Sequence, residues 1–230
     1  LYNNLSQDEY LLYLSPYIQS GVVELISWPI DYRSEPEWAR IQEGAYRDCI
    51  DRCRKVTRWC AFLDTDEFLF SPTGKSVQKV LQEFVDFPGV CVHWRMYGTS
   101  HVAKIPAGSG VLNTLVYRAP DNFGPHRLFK SIVQPRQVAG TLGAHMFSYL
   151  RGTAVDDQKK PHPGLVVQDI GGSVLRINHY WTRDEEFLYN VKIPRRLRWR
   201  EDVDTILRAA SEMNAIYDEV LRDWEMYSSI

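Results

Sequence analysis

The sequence predicts an α/β fold in which a mixed, mostly parallel central sheet is flanked by helices. Three observations predict it. An apolar run at 59–63 stops at Asp64, Asp66 and Glu67 and resumes at Phe68, Leu69 and Phe70, the pattern of a buried strand that ends in a polar site. Apolar stripes of helical period lie on both sides of that run, so strand and helix alternate. Further short apolar runs of strand length, separated by loops, fill the second half. The alternation also argues for right-handed crossovers. No Gly/Ser/Pro-rich linker divides the 230 residues, and the reading is one domain.

The elements follow in order. Asn3, Asn4, Ser6 and Asp8 form a turn, with Ser6 placed to cap a helix over 7–19. Residues 21–27 read as a strand. Ser34 and Pro36 open a helix reaching about residue 54, whose stripe is Trp38, Ile41, Ala45, Cys49, Cys53 and Val56, with Gln42 on the same face. A strand at 60–63 comes next, then a helix over 75–86. Strands are expected at 90–97, 111–117, 128–133, 145–150 and 174–180, with a polar mobile loop at 156–164. Helices over 182–191 and 201–222 close the chain, the last striped by Val203, Ile206, Ala210, Met213, Tyr217 and Val220.

Composition narrows the function classes. The formal net charge of −2 argues against a nucleic-acid partner. No apolar run has membrane-spanning length, and no signal-peptide pattern is visible. Cys49, Cys53, Cys60 and Cys91 include no Cys-x-x-Cys pair and read as small buried apolar residues. Carboxylates at a strand exit need water, a cation or a ligand. Asp-x-Asp with little else nearby suits a hard divalent cation that also holds phosphate oxygens, which points to a nucleotide-linked substrate.

An ordered series of motifs then resembles glycosyltransferase family 92 and its family-2-like relatives. It comprises Tyr2-Asn3-Asn4-Leu5-Ser6-Gln7-Asp8; Gln42, Tyr46 and Cys49; the acidic segment 59–69; Trp94 through His101; Lys130 and Ser131 followed by His145; and Asn178-His179-Tyr180-Trp181 with Glu185-Glu186-Phe187. The resemblance implies a GT-A-type nucleotide-diphospho-sugar transferase fold. Its first strand and helix would lie ahead of Leu1, residues 1–100 would form the donor half, and 101–230 the acceptor half. It implies transfer of a hexose, with galactose the family-based choice, from a nucleotide-sugar donor, a UDP-sugar by preference, to a glycan or glycolipid acceptor with inversion. Mn2+ or Mg2+ would serve as cofactor. Asp64, Asp66 and His179 are the implied metal ligands. Asn3, Asn4, Ser6, Asp8, Gln42, Asp64, Lys130 and His145 are the candidates beside the donor, and Glu186 and Glu185 the candidates for the catalytic base. Membrane association would come only through a segment outside this chain, and the compartment stays open between cytoplasm and Golgi lumen. The rival readings are a metal-dependent phosphohydrolase or nucleotidyltransferase, and a non-catalytic glycan-binding module on the same fold.

Overall fold

The computed structural model describes residues 1–31, 34–162, 164 and 170–222, less the side chain of Glu35. Its elements are β1 (Tyr2–Asn3), α1 (Tyr10–Gln19), β2 (Ile26–Ser27), α2 (Glu35–Cys53), β3 (Cys60–Ala61), β4 (Glu67–Phe70), α3 (Val77–Leu81), β5 (Gly89–Met96), α4 (Val111–Thr114), β6 (Tyr117–Arg118), β7 (Phe129–Val133), β8 (Val138–Thr141), β9 (Phe147–Tyr149), β10 (Arg176–His179), α5 (Glu185–Phe187), α6 (Ile193–Arg198), α7 (Val203–Glu212) and β11 (Ile216–Tyr217).

The central sheet has five strands in the order β3-β7-β5-β10-β4. It is mixed, but it is not mostly parallel. Among its described strands only β5 and β10 pair in parallel; β3 with β7, β7 with β5 and β10 with β4 pair antiparallel. Strand β7 runs against both its neighbours, and the segment after the acids adds the third antiparallel pairing. Phe68, Leu69 and Phe70 turn back as a separate strand, β4, instead of prolonging the one before them. Neighbouring residues of β7 point to opposite faces. Ile132 packs with Val90, Val92 and Ile177 under Val80, Leu81 and Phe84 of α3 and its following 3-10 turn. Val133 packs with Phe62 and Phe147 under Tyr46 and Ile50 of α2. Helices therefore cover both faces of the sheet.

Helix α2 matches its expected bounds. Ser34 Oγ caps it by accepting from the Glu37 N–H, and Ile41, Ala45 and Ile50 bury its inner face, although Val56 lies beyond the helix and is exposed. Elsewhere local chemistry overrode the sequence pattern. Ser6 caps no helix among the described residues: its own N–H donates to Asn3 Oδ1, and α1 begins only at Tyr10, after Glu9. Of the expected strand at 21–27 only Ile26–Ser27 pairs, in parallel with β1. The expected strand at 111–117 is instead a helical turn followed by two-residue β6; Thr114 Oγ1 donates to the Gly110 carbonyl and closes that turn.

The polar loop expected at 156–164 is exposed at residues 158–161 but anchored by buried Asp156, Asp157 and His162, and Pro163 lies outside the described residues. Asp157 is buried, and its Oδ2 accepts from the N–H groups of Gly172, Val174 and Leu175 at 2.9, 2.9 and 3.2 Å. Asp156 Oδ1 accepts from the N–H groups of Gln158 and Lys160. The last expected helix stops at Glu212. Asn214 ends it by accepting from Ser100 N–H and donating to Thr99 Oγ1, and β11 then pairs with β6, leaving Tyr217 and Val220 exposed. The expected helix over 182–191 contains a π turn at Leu188–Lys192. Pro194 has no N–H to give the Asn190 carbonyl, and the wider turn absorbs that break.

Candidate active site

The acidic segment sits where three strands share one end. Strands β3 and β10 finish there, and antiparallel β4 begins there. Register decides the neighbours: His179 stands opposite Glu67 across the β10–β4 ladder. Lys130, near the start of β7, projects past the end of β3. Residues far apart in sequence thus meet around Asp64–Glu67.

Asp64 is held from two sides. Lys130 Nζ lies 2.9 Å from its Oδ2, and Gln42 Nε2 donates to its Oδ1 at 3.1 Å. Gln42 also donates to the Tyr46 hydroxyl one turn along α2. Glu67 is fully buried, and its Oε2 accepts from the Asp64 N–H at 2.9 Å and lies 3.8 Å from Lys130 Nζ. Burial pushes the Glu67 carboxyl up to about 8. Lys130 is buried too. Burial works against its charge, but Glu67 and Asp64 outweigh that and raise it.

Asp66 and His179 form the second half of the cluster. His179 Nε2 lies 3.5 Å from Asp66 Oδ1, and Lys192 Nζ lies 3.8 Å from Asp66 Oδ2. Burial alone would raise the Asp66 carboxyl, yet His179 and Lys192 hold it down to about 2. Burial depresses His179 and keeps its ring neutral near pH 7. Behind the ring, Nδ1 faces Glu67 Oε1 at 3.8 Å, and neither atom has a hydrogen-bond partner among the described residues. Trp94 packs its ring edge-on between His179 and His145, with centroids 4.5 and 5.3 Å apart. His145 Nδ1 is 2.7 Å from the Phe129 carbonyl, which makes Nδ1 the protonated nitrogen and leaves Nε2 as an acceptor.

These residues differ in their fit to a divalent cation. Two neighbouring oxygen or nitrogen ligands of an octahedral hard cation lie about 3 Å apart. Asp66 Oδ1 and His179 Nε2 approach that spacing, and an imidazole whose other ring nitrogen faces a polar oxygen, here Glu67 Oε1, is a common metal-ligand arrangement. Asp64 faces Lys130 and Gln42 instead. Among the described residues, the ligand atoms of Asp64, Asp66 and His179 are not all gathered within 4.8 Å of one another.

The other expected residues lie apart from this cluster. Asn3 Nδ2 donates to the Tyr10 hydroxyl, and Asn4 Nδ2 donates to the Trp28 and Ile30 carbonyls. Asn4 thereby holds one wall of a groove of about 240 Å³ lined by Trp28, Arg40 and Ile41 among others. Ser6 and Asp8 are exposed. Among the described residues no hydrogen bond or ion pair joins Asn3, Asn4, Ser6 or Asp8 to the acids. Glu186 is exposed and pairs with Lys104 at 2.9 Å, and the Glu185 N–H donates to the Val102 carbonyl. Neither glutamate touches the acidic cluster among the described residues. Lys192 also joins the site: it opens the basic run Lys192, Arg195, Arg196, Arg198 and Arg200, which the sequence alone reads as a diphosphate-holding cluster or, more often, a solvated face. It is buried, it lies 4.6 Å above the Trp181 ring, and burial lowers it to about 8. Its signal was Pro194, which forces the π turn on which Lys192 sits.

The family model of glycosyltransferase family 92 matches residues 1–204. The chain belongs to glycosyltransferase family 92. A family 92 protein of Oryza sativa subsp. japonica is 29% identical over 148 residues, which cover 62% of this chain and 22% of that protein. A galactan beta-1,4-galactosyltransferase of Arabidopsis thaliana is 29% identical over 150 residues, covering 60% of this chain and 28% of the relative. A family 92 protein of Ricinus communis is 28% identical over 148 residues, 62% of this chain and 24% of its own. The matched segment thus spans less than a third of these curated relatives. Among the described residues of this family 92 chain, no helix is long and apolar enough to cross a membrane.

Proposed function

We propose that this chain carries the donor-binding and metal-binding part of a hexosyltransferase that moves a sugar, galactose by preference, from a UDP-sugar to a glycan acceptor with inversion, on a GT-A-type fold. The observation that carries the reading is the pairing of Asp66 with His179 at 3.5 Å across two chain segments, in a family 92 chain similar to galactan galactosyltransferases. Asp66 and His179 would hold Mn2+ or Mg2+, which supplies Lewis-acid stabilisation of the charge that develops on a departing diphosphate. Glu67 orients the imidazole from behind. Asp64, fixed by Lys130 and Gln42, presents a carboxylate to donor hydroxyls, and Lys192 places a cation beside the same opening. The groove at Trp28 and Arg40 suits the nucleoside end of the donor. Glu186 and Glu185 remain the candidates for taking the acceptor's proton.

The test is thermal unfolding with UDP, GDP and CMP, each with and without Mn2+. UDP should raise the midpoint of the wild type only when Mn2+ is present, and Asp66→Asn and His179→Ala should each abolish that rise. A UDP response that is equal without Mn2+ and unchanged in both variants would reject the metal site. A missing response to all three nucleotides would reject the donor site.

A further inference from the structure

A second cluster of metal-ligating side chains lies away from the acids. Cys49 and Cys53 stand one turn apart near the end of α2, and Cys60 opens β3. The Sγ atoms of Cys49 and Cys60 are 3.7 Å apart, those of Cys49 and Cys53 are 4.0 Å apart, and all three lie within 4.8 Å of one another. All three residues are half-buried, so the cluster is open to solvent on one side. Among the described residues, no other group of three or more histidine, cysteine or carboxylate ligands is gathered this closely.

The spacing discriminates between two kinds of sulfur chemistry. A disulfide needs its sulfurs about 2.05 Å apart, and these three thiols are free. A tetrahedral zinc thiolate, with Zn–S bonds of about 2.3 Å, has sulfur–sulfur edges of about 3.8 Å. The Cys49–Cys60 and Cys49–Cys53 separations bracket that edge, and Cys53–Cys60 lies within 4.8 Å. We propose that Cys49, Cys53 and Cys60 bind one thiophilic d10 cation of the zinc class through three thiolates, with solvent in the fourth position. Each thiol gives its proton to solvent as the ion binds. Soft sulfur ligands select against Mn2+ and Mg2+, so this ion differs in kind from one held by Asp66 and His179. The bound ion ties the last turn of α2 to β3. Gln42 rides on that helix, and Asp64 follows that strand.

The experiment is a Cd2+ titration of the reduced, metal-free chain, read by the thiolate-to-cadmium charge-transfer absorption in the near ultraviolet. The absorption should saturate at one Cd2+ per chain, reverse on adding excess Zn2+, and ignore Mn2+. Cys49→Ser, Cys53→Ser and Cys60→Ala should each weaken binding by about tenfold or more, while Cys91→Ser should not. Circular dichroism identifies any variant that fails to fold, and the solvent-side Cys53→Ser carries the test if the more buried substitutions do. No absorption, binding unchanged by Cys53→Ser and Cys60→Ala, or a disulfide among these cysteines in protein purified without reductant would overturn the proposal. None of these readouts depends on nucleotide or glycosyl transfer.

Discussion

Lys130 shows how much one residue can decide. Its side chain is almost wholly buried, and it faces both Asp64 and Glu67. Removing one partner of such a group strands the rest. We expect Lys130→Met to lose about 3 kcal/mol of stability, measured by urea unfolding at neutral pH, and Asp64 to lose its fixed position as well. Glu67→Gln should be far milder near pH 7: burial already favours the neutral carboxyl there, and an amide oxygen can still accept from the Asp64 N–H. A Glu67→Gln loss as large as that of Lys130→Met would contradict this. At this scale the sequence was informative about chemistry and silent about partners. Asp64, Asp66, Gln42, Lys130 and His179 stood out by residue type and motif, and the structure draws all five into one neighbourhood. Gln42 lies on the apolar stripe of α2, and only the packing of that helix beside the acids shows that its amide donates to Asp64. Lys192 looked like one cation among many, because nothing in a one-dimensional pattern states that a lysine is buried.

At the scale of elements, capping and hydrogen-bond bookkeeping outweighed apolar periodicity. Helix α2 was legible because cap, proline and stripe all agree. Segment 156–162 is a polar loop exposed at 158–161, but composition does not show that Asp157 within it is a buried acceptor for three backbone N–H groups. Asp157→Ala would leave those donors unpaired beside β10, and we expect about 3 kcal/mol of destabilisation. Urea unfolding would show it as a lower midpoint with an unchanged slope. The final helix stops at Glu212 because Asn214 spends its amide on Ser100 and Thr99, a contact about a hundred residues away in sequence.

For the whole molecule, the buried histidines set the acid limit. His126 is fully buried, and its Nε2 accepts from the Met96 N–H at 2.9 Å, so the folded state needs a neutral ring. Burial lowers His126 and His162 to about 4 and depresses His93 as well. An unfolded chain protonates these rings near pH 6.5. Between about 6.5 and 4 the unfolded state therefore binds more protons, and stability falls as pH falls through that window. Unfolding free energies measured across it should show this slope, and His126→Gln should flatten it while lowering stability at pH 7. A stability that stays level from pH 6.5 to 4.5 would sink this account.

The sequence by itself determined the family, the helix α2, the main strands at β5 and β7, and the residue types at the acidic site, because those depend on composition, local periodicity and short motifs. Only the tertiary structure decided that the sheet is largely antiparallel, that His179 stands opposite Glu67, that Lys192 reaches Asp66 and that three cysteines converge. Each of these is a matter of register or packing between distant segments. A one-residue slip of β10 against β4 would turn His179 to the other face without changing a letter of the sequence.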